Sequence, residues 1–395
     1  MPSYLPATRY GGPIYAVHGL CRALAERGHD VHVFTTNVDG PGVSNVPVDR
    51  AVNLDGVAVR YFSAGLGRRL YRSPAMGRAL KESRKSFDII HLHSVFLWPT
   101  LAAADVAQAC GIPYIVTPHG MLVGELFARK SRLLKSAWIS LFERRNIERA
   151  AAIHFTSQIE ADEMRLLGIK CRSSAIIPNG LDSADISVDP STDDLAWLQS
   201  LPQPFILYLG RVNWKKGLDR LISAMTLVDG IDLVIAGNDE DDYRRSLETL
   251  AHKLNVTPRT KFIGPVTGAR KWALLRQAHM LLLPSYSENF GMVVLEAMAV
   301  GCPVVVTAEV GLAAAVNASG AGLVVEGNPE KLATAIATLE SDESRRKQMG
   351  DAGRKTAAEQ FSWTSIAAKM ESLYTECAAT GSWISVGRYA STDKY

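Results

Sequence analysis

Residues 280–307 read MLLLPSYSENFGMVVLEAMAVGCPVVVT. The first five, MLLLP, have the composition of a buried strand. SYSENFG (285–291) is a polar loop, 292–300 is an apolar run of helical length, and Gly301-Cys302-Pro303 stops it before a second buried strand, VVVT. Strand, loop, helix and strand in that order make the crossover unit of a parallel α/β sheet. Between Asn289 and Ala308 the only formal charge is Glu296, with Glu288 eight residues before it. The helix is apolar on every side of a wheel, so it is expected to be buried, where an unpaired carboxylate costs several kcal/mol or becomes protonated. Its partner is either internal, such as a backbone amide or an arginine, or a ligand rich in hydroxyl groups. Glu288 falls in the loop beyond a strand's carboxyl end and Glu296 about two turns into the next helix, which borders the crevice where open parallel sheets bind ligands.

The same alternation extends through the second half. FILYLG (205–210), IDLVIAG (231–237), KFIGPV (261–266), LLLP, CPVVVT and GLVVE (322–326) are separated by helical patterns at 217–228, 241–255, 268–278 and 291–300. In the first half, a helix at 13–28 follows YGGP (10–13), and strands are expected near 30–36 and 57–62. DIIHLH (88–93), YIVTPHG (114–120), AIHFTS (152–157) and SAIIPNG (174–180) then alternate with helices at 99–110, about 131–149 and 158–168. The fold class is therefore α/β, with two doubly wound domains in tandem, 1–182 and 183–362, joined through an acidic, proline-containing linker at 182–204. Such a domain normally opens with a strand, yet MPSYLPATRYGGP already reads as the loop after one. A short strand ahead of it is the expectation.

At 395 residues, 47% hydrophobic and 21% charged, the chain can fill two cores. A net charge of +3 gives no ground for a nucleic-acid partner. Five scattered cysteines without a CxxC pair suggest neither a disulfide framework nor a zinc site and fit a reducing cytoplasm. The chain has no apolar run of about 18 residues and no signal-peptide core.

After FILYLG comes RVNWKKG (211–217), which puts Arg211 at a strand end and Lys215 and Lys216 just before the next helix. A planar fork and a mobile point charge suit diphosphate oxygens, although solvated loop cations are the plainer reading. The acidic run DEDD (239–242) opens a helix and reads as solvated. His119, between Pro118 and Gly120, is either a core residue, a turn filler or a site residue. In HLH, alternation is expected to leave only one of His91 and His93 on a given side, each with a structural place. The basic helix near 131–149 pairs an apolar stripe with Arg132, Lys135, Arg144, Arg145 and Arg149. It suits packing on the domain, with the cations able to hold an anionic lipid-linked acceptor or meet an anionic membrane surface.

Taken in order, YGGP (10–13), TPHG (117–120), IIPNGLD (176–182), YLGRVNWKKG (208–217) and SENFGMVVLEAMAVGCPVV (287–305) resemble the retaining glycosyltransferases of the GT-B fold, group 1 or family 4. The resemblance covers nearly the whole chain. It implies a nucleotide-diphosphate sugar as donor, a saccharide or lipid-linked acceptor, no cofactor and no required metal. By resemblance, Gly12 contacts donor phosphate, and its place at a helix start suits an anion. Arg211 and Lys216 stabilise the leaving diphosphate, Glu288 holds the donor sugar's hydroxyls, and the amides of Asn289, Phe290 and Gly291 lie near sugar or phosphate. Met292 and Val293 lie against diphosphate or ribose, and Glu296 accepts from the ribose hydroxyls. His119 approaches the donor sugar from the first domain, and Asn179 belongs to the hinge-side loop. The helix at 363–379 is expected to cross back to the first domain. The resemblance also implies a role in bacterial surface polysaccharide or lipid-linked glycan synthesis, and with the cysteines and the basic helix this gives a cytoplasmic enzyme, peripheral at the inner face of the cell membrane, as the expectation. A nucleotide-sugar epimerase and a non-catalytic nucleotide-sugar binder are the alternatives.

Overall fold

The computed structural model describes residues 1–7, 12–48, 50–122, 143–182 and 186–379. Six parallel strands build the second domain's sheet in the order Thr260–Gly264, Asp232–Ala236, Phe205–Leu209, Met280–Leu283, Val304–Thr307, Gly322–Val325. The central strands are buried on both faces because helices cover both, which is why they read as continuous apolar runs rather than alternating ones. Strand order reverses between Phe205–Leu209 and Met280–Leu283. The loops leaving these two strands, 210–217 and 284–291, therefore flank one crevice.

Helix Met292–Val300 starts and stops on left-handed glycines, Gly291 (φ 91°) and Gly301 (φ 80°). It is not buried all round, as its composition alone suggests. Val294, Leu295, Ala297 and Met298 face the core, whereas Met292, Val293, Glu296, Ala299 and Val300 form a half-buried stripe at helical spacing.

The first domain's sheet is in two parts: His32–Thr36, Val57–Phe62, Ala51–Leu54, and Ile90–His93, Tyr114–Thr117, Ala152–Phe155, Ser174–Ile176. The strand Ala51–Leu54, absent from the sequence reading, pairs antiparallel with Val57–Phe62. Its signal is Asp55-Gly56, both at positive φ (53° and 83°), the turn that matches hairpin twist. Between His32–Thr36 and Ile90–His93 lies a cavity of about 270 Å³ bordered by Val31, Val33, Phe34, Ile89 and His91. Residues 1–3 run beside the end of the first strand: the Met1 ammonium donates to Phe34 O (3.0 Å), Thr36 N donates to Pro2 O (3.2 Å), and Ser3 bridges Thr36 in parallel sense.

Part of the expected linker is a helix of the second domain. Thr192–Gln199 carries a capping box between Ser191 and Asp194, Asp194 is held by Arg270 (2.7 Å), and Leu198 and Leu201 join the second core. Of the expected helix near 131–149, residues through 142 lie outside the described ones, leaving Arg144–Arg149. Helix Trp363–Ala379 packs on the first domain, sharing a core with Leu20, Leu24, Ile115, Ala152 and Ile177. A Cβ on Gly19 or Gly180 would run into the Trp363 indole, so both positions need glycine.

Candidate active site

Asn213 and Gly217 shape the loop that carries Lys216. The Asn213 side chain accepts from Lys215 N (2.9 Å) and caps the turn Trp214–Lys216. Gly217 ends the turn in the left-handed region (φ 67°), with the Pro284 carbonyl where a Cβ would stand. This close approach sets Lys216 beside the other loop. Its ammonium is ion-paired to the Glu288 carboxylate, with the side chains only 15% and 18% exposed. Glu288 is pinned through its backbone: its N–H donates to Glu309 O (3.1 Å) and its carbonyl accepts from Gly311 N (2.9 Å).

Arg211 stands apart from that pair. It is 63% exposed and held by Glu240 at 2.9 and 3.1 Å, with Asn213 Nδ2 donating to the same carboxylate at 2.7 Å. Glu240 is therefore not the simply solvated acid expected of DEDD; it is tied to the RVNWKKG loop. Glu296 also meets an internal partner, a lysine. Lys271 Nζ, from helix Gly268–Gln277, lies 3.1 Å from its Oε1. The sequence contains Lys271 in a recognisable helix, but only the packing of that helix against Met292–Val300 makes the pair.

From the first domain, the turn after Tyr114–Thr117 reaches the same place. His119 sits at φ 54°, and a Cβ on Gly120 would stand 2.9 Å from Asn289 Cβ. Asn289 Nδ2 donates to Thr156 Oγ1 across the cleft (2.9 Å). Thus His119, Asn289 and the Lys216–Glu288 pair are brought together. Phe290 points its ring into the core at 4% exposure, leaving only its backbone for the cleft. Gly291, Met292 and Val293 open the helix beside Glu288. Asn179 is half-buried beyond the end of Ser174–Ile176, and Gly12 is exposed as the first residue of helix Gly12–Glu26, with residues 8–11 outside the described ones.

The histidines are the part that sequence reasoning misjudged. Residues two apart on a strand share a face, so His91 and His93 lie side by side with ring centroids 4.1 Å apart. His93 Nδ1 meets His119 Nε2 at 3.0 Å. His91 belongs to a second chain whose direction follows from its last member. The Ile177 carbonyl can only accept, so His154 Nε2 donates to it (2.8 Å), and His154 Nδ1 accepts from Thr117 Oγ1 (2.8 Å). Thr117 then accepts from His91 Nε2 (2.6 Å), and His91 Nδ1 accepts from Tyr374 O–H (2.7 Å). These are the directions of neutral rings, and burial disfavours the charged form of both His91 and His154. Burial pushes His154 down to about 4, and burial, then the neighbouring His154, pushes His119 down to about 3. Among the described residues no group of three or more His, Cys, Asp or Glu is placed to hold a metal ion, and no helix is long and apolar enough to cross a membrane.

Two family models match the chain, "Glycosyl transferase 4-like domain" over residues 11–180 and "Glycosyl transferases group 1" over residues 196–356. The chain is 29% identical to a D-inositol 3-phosphate glycosyltransferase of Xylanimonas cellulosilytica, over 93% of this chain and 92% of that protein. Among solved structures it is similar to a sucrose-phosphate synthase of Thermosynechococcus elongatus, with a TM-score of 0.74 and 26% identity over 94% of each chain. The fold is also that of Anabaena HepE in complex with UDP-glucose, with a TM-score of 0.72 and 19% identity over 95% of this chain and 98% of that one. With both halves matched in order, and the loops of both meeting at one crevice, the chain belongs to the group 1 glycosyltransferases of the GT-B fold.

Proposed function

We propose that this glycosyltransferase moves a sugar from a nucleotide-diphosphate donor to a hydroxyl acceptor with retention at the anomeric carbon. The observation that carries the reading is the Lys216–Glu288 ion pair at the strand-order reversal, facing the His119 turn. A half-buried lysine and carboxylate neutralise one another without ligand and can exchange that partnership for a diphosphate and for sugar hydroxyls. Lys216 then opposes the charge that develops on the leaving diphosphate, and Arg211 joins it by releasing Glu240. Glu288 orients the sugar and is not the base; the departing phosphate takes the acceptor's proton in a front-side attack. Glu296 accepts from ribose hydroxyls, with Lys271 as its partner in their absence. The charge balance rests on these side chains and on helix starts, so the reaction is assigned no metal.

The acceptor is assigned to the first domain. Between helices Pro74–Glu82 and Trp98–Cys110 lies a groove of about 990 Å³ with Arg72, Arg78, Lys81, Arg84 and Arg145 around it and Trp98 and Leu101 on its apolar side. That combination supports an anionic, lipid-linked acceptor or peripheral contact with an anionic membrane, as in surface glycan assembly in the cytoplasm. Melting the protein with UDP, GDP, ADP and their sugars identifies the donor, because a ligand of the folded state raises the melting temperature with its affinity. Formation of free nucleoside diphosphate together with a glycoside of unchanged anomeric configuration completes the test. No stabilisation by any nucleotide, or inversion at that carbon, refutes the reading.

A further inference from the structure

We infer that Thr156 and Glu160 are positioning residues that latch the His119 turn of the first domain to Asn289 of the donor loop in the second, so that cleft closure and the placing of His119 are one event. The inference rests on the site proposed above. Glu160 is 2% exposed in the first turn of helix Gln158–Leu166, where the dipole favours an acid. It accepts from Gly120 N at 2.5 Å through Oε1, and from Thr156 N at 2.9 Å and Thr156 Oγ1 at 3.2 Å through Oε2, and the Asn289 side chain interacts with the same carboxylate. The bond from Gly120 ties this carboxylate to the residue that follows His119. Because the Thr156 hydroxyl gives its one proton to Glu160, its lone pairs are left for Asn289 Nδ2, which donates at 2.9 Å from the other domain. One carboxylate thus sets the His119 turn with one oxygen and orients the interdomain hydrogen bond with the other.

Asn289 adds a reason for this contact to respond to ligand. Among the described residues its buried Oδ1 has no hydrogen-bond partner, an arrangement that leaves the interface incompletely satisfied. A sugar hydroxyl donating to that oxygen would strengthen the latch as the donor binds, which is the differential interaction a ligand needs in order to favour the closed form. Gly120, in van der Waals reach of Asn289 and at φ 71°, leaves room for no side chain between the two loops.

Thr156→Val keeps the shape and removes the hydroxyl; Thr156→Ser keeps the hydroxyl. With the nucleotide sugar that stabilises the wild type most among UDP-, GDP- and ADP-glucose, Thr156→Val is expected to lower kcat about 3- to 10-fold, the worth of one neutral hydrogen bond. Affinity for the corresponding free nucleoside diphosphate, held by the second domain, stays within about twofold. Small-angle scattering reads a larger radius of gyration for Thr156→Val, and Thr156→Ser restores both compactness and kcat. In an Asn289→Ala background, Thr156→Val is expected to lower kcat by less than it does in the wild type, because the interdomain partner is already gone and only the bond from Thr156 to Glu160 is left to lose. Wild-type kcat and compactness in Thr156→Val, or a full additional loss on top of Asn289→Ala, overturns the latch while the glycosyltransferase site stands. A wild type that binds none of the nucleotides overturns the site and the latch together. Glu160→Gln, if it folds, shifts the His119 imidazole resonances as well as kcat; unchanged resonances count against the coupling.

Discussion

Acidifying the protein from about pH 7.5 to about pH 5 is expected to destabilise the first domain through its neutral imidazoles. His154 is 4% exposed, donates to a carbonyl and accepts from a hydroxyl, so a second proton has no acceptor waiting for it. Its folded value of about 4 lies below the ordinary 6.5, so the unfolded chain binds the proton first. Stability is therefore fully present above about pH 6.5 and is lost as the pH falls toward 4. At about pH 5 the unfolded imidazole is almost fully protonated and the folded one almost not, which costs about 2 kcal/mol for His154 alone. His91, His93 and His119 are all pushed down mainly by burial and act in the same direction. Glu160, whose carboxyl burial pushes up, acts in the opposite direction as it becomes protonated. Urea unfolding at several pH values, with the His154 ring followed by NMR, reads both quantities. Equal stability at both ends of the range, or a His154 ring titrating near 6.5, would refute the neutral-chain assignment.

Lys216→Ala and Glu288→Ala are each expected to lower kcat on the order of 100-fold or more, as when a transition-state charge partner is removed, whereas Glu296→Ala mainly raises the dissociation constant for the donor. Steady-state kinetics beside nucleotide titrations separate them, and near-wild-type activity in all three overturns the site assignment. Gly217→Ala sets a Cβ against the Pro284 carbonyl in the left-handed region, so a loss of about 1–3 kcal/mol in urea unfolding is expected, with turnover falling as Lys216 shifts. Flotation with anionic vesicles is expected to retain the wild type and lose Arg78→Glu/Lys81→Glu, while equal non-binding removes the membrane role for that groove.

The amino-acid order by itself determined the βαβ alternation of both halves and the two strand ends that carry Lys216 and Glu288. Apolar runs, glycine stops and local spacing carry that information within a few residues. Where the reading went astray, the deciding contact was remote in the chain or the local rule was misapplied. Lys271 reaches Glu296 only because two helices pack, and Arg211 turns to Glu240 only because two strands are neighbours. The helix at 192–199 was hidden by an acidic composition that in fact caps it. His91 and His93 needed only a period-two count to be placed together, but their partners Tyr374, Thr117 and His119 come from other elements. The meeting of Gly120 and Thr156 with Asn289 was decided by tertiary structure alone, because no local pattern specifies which loop of one domain closes on which loop of the other.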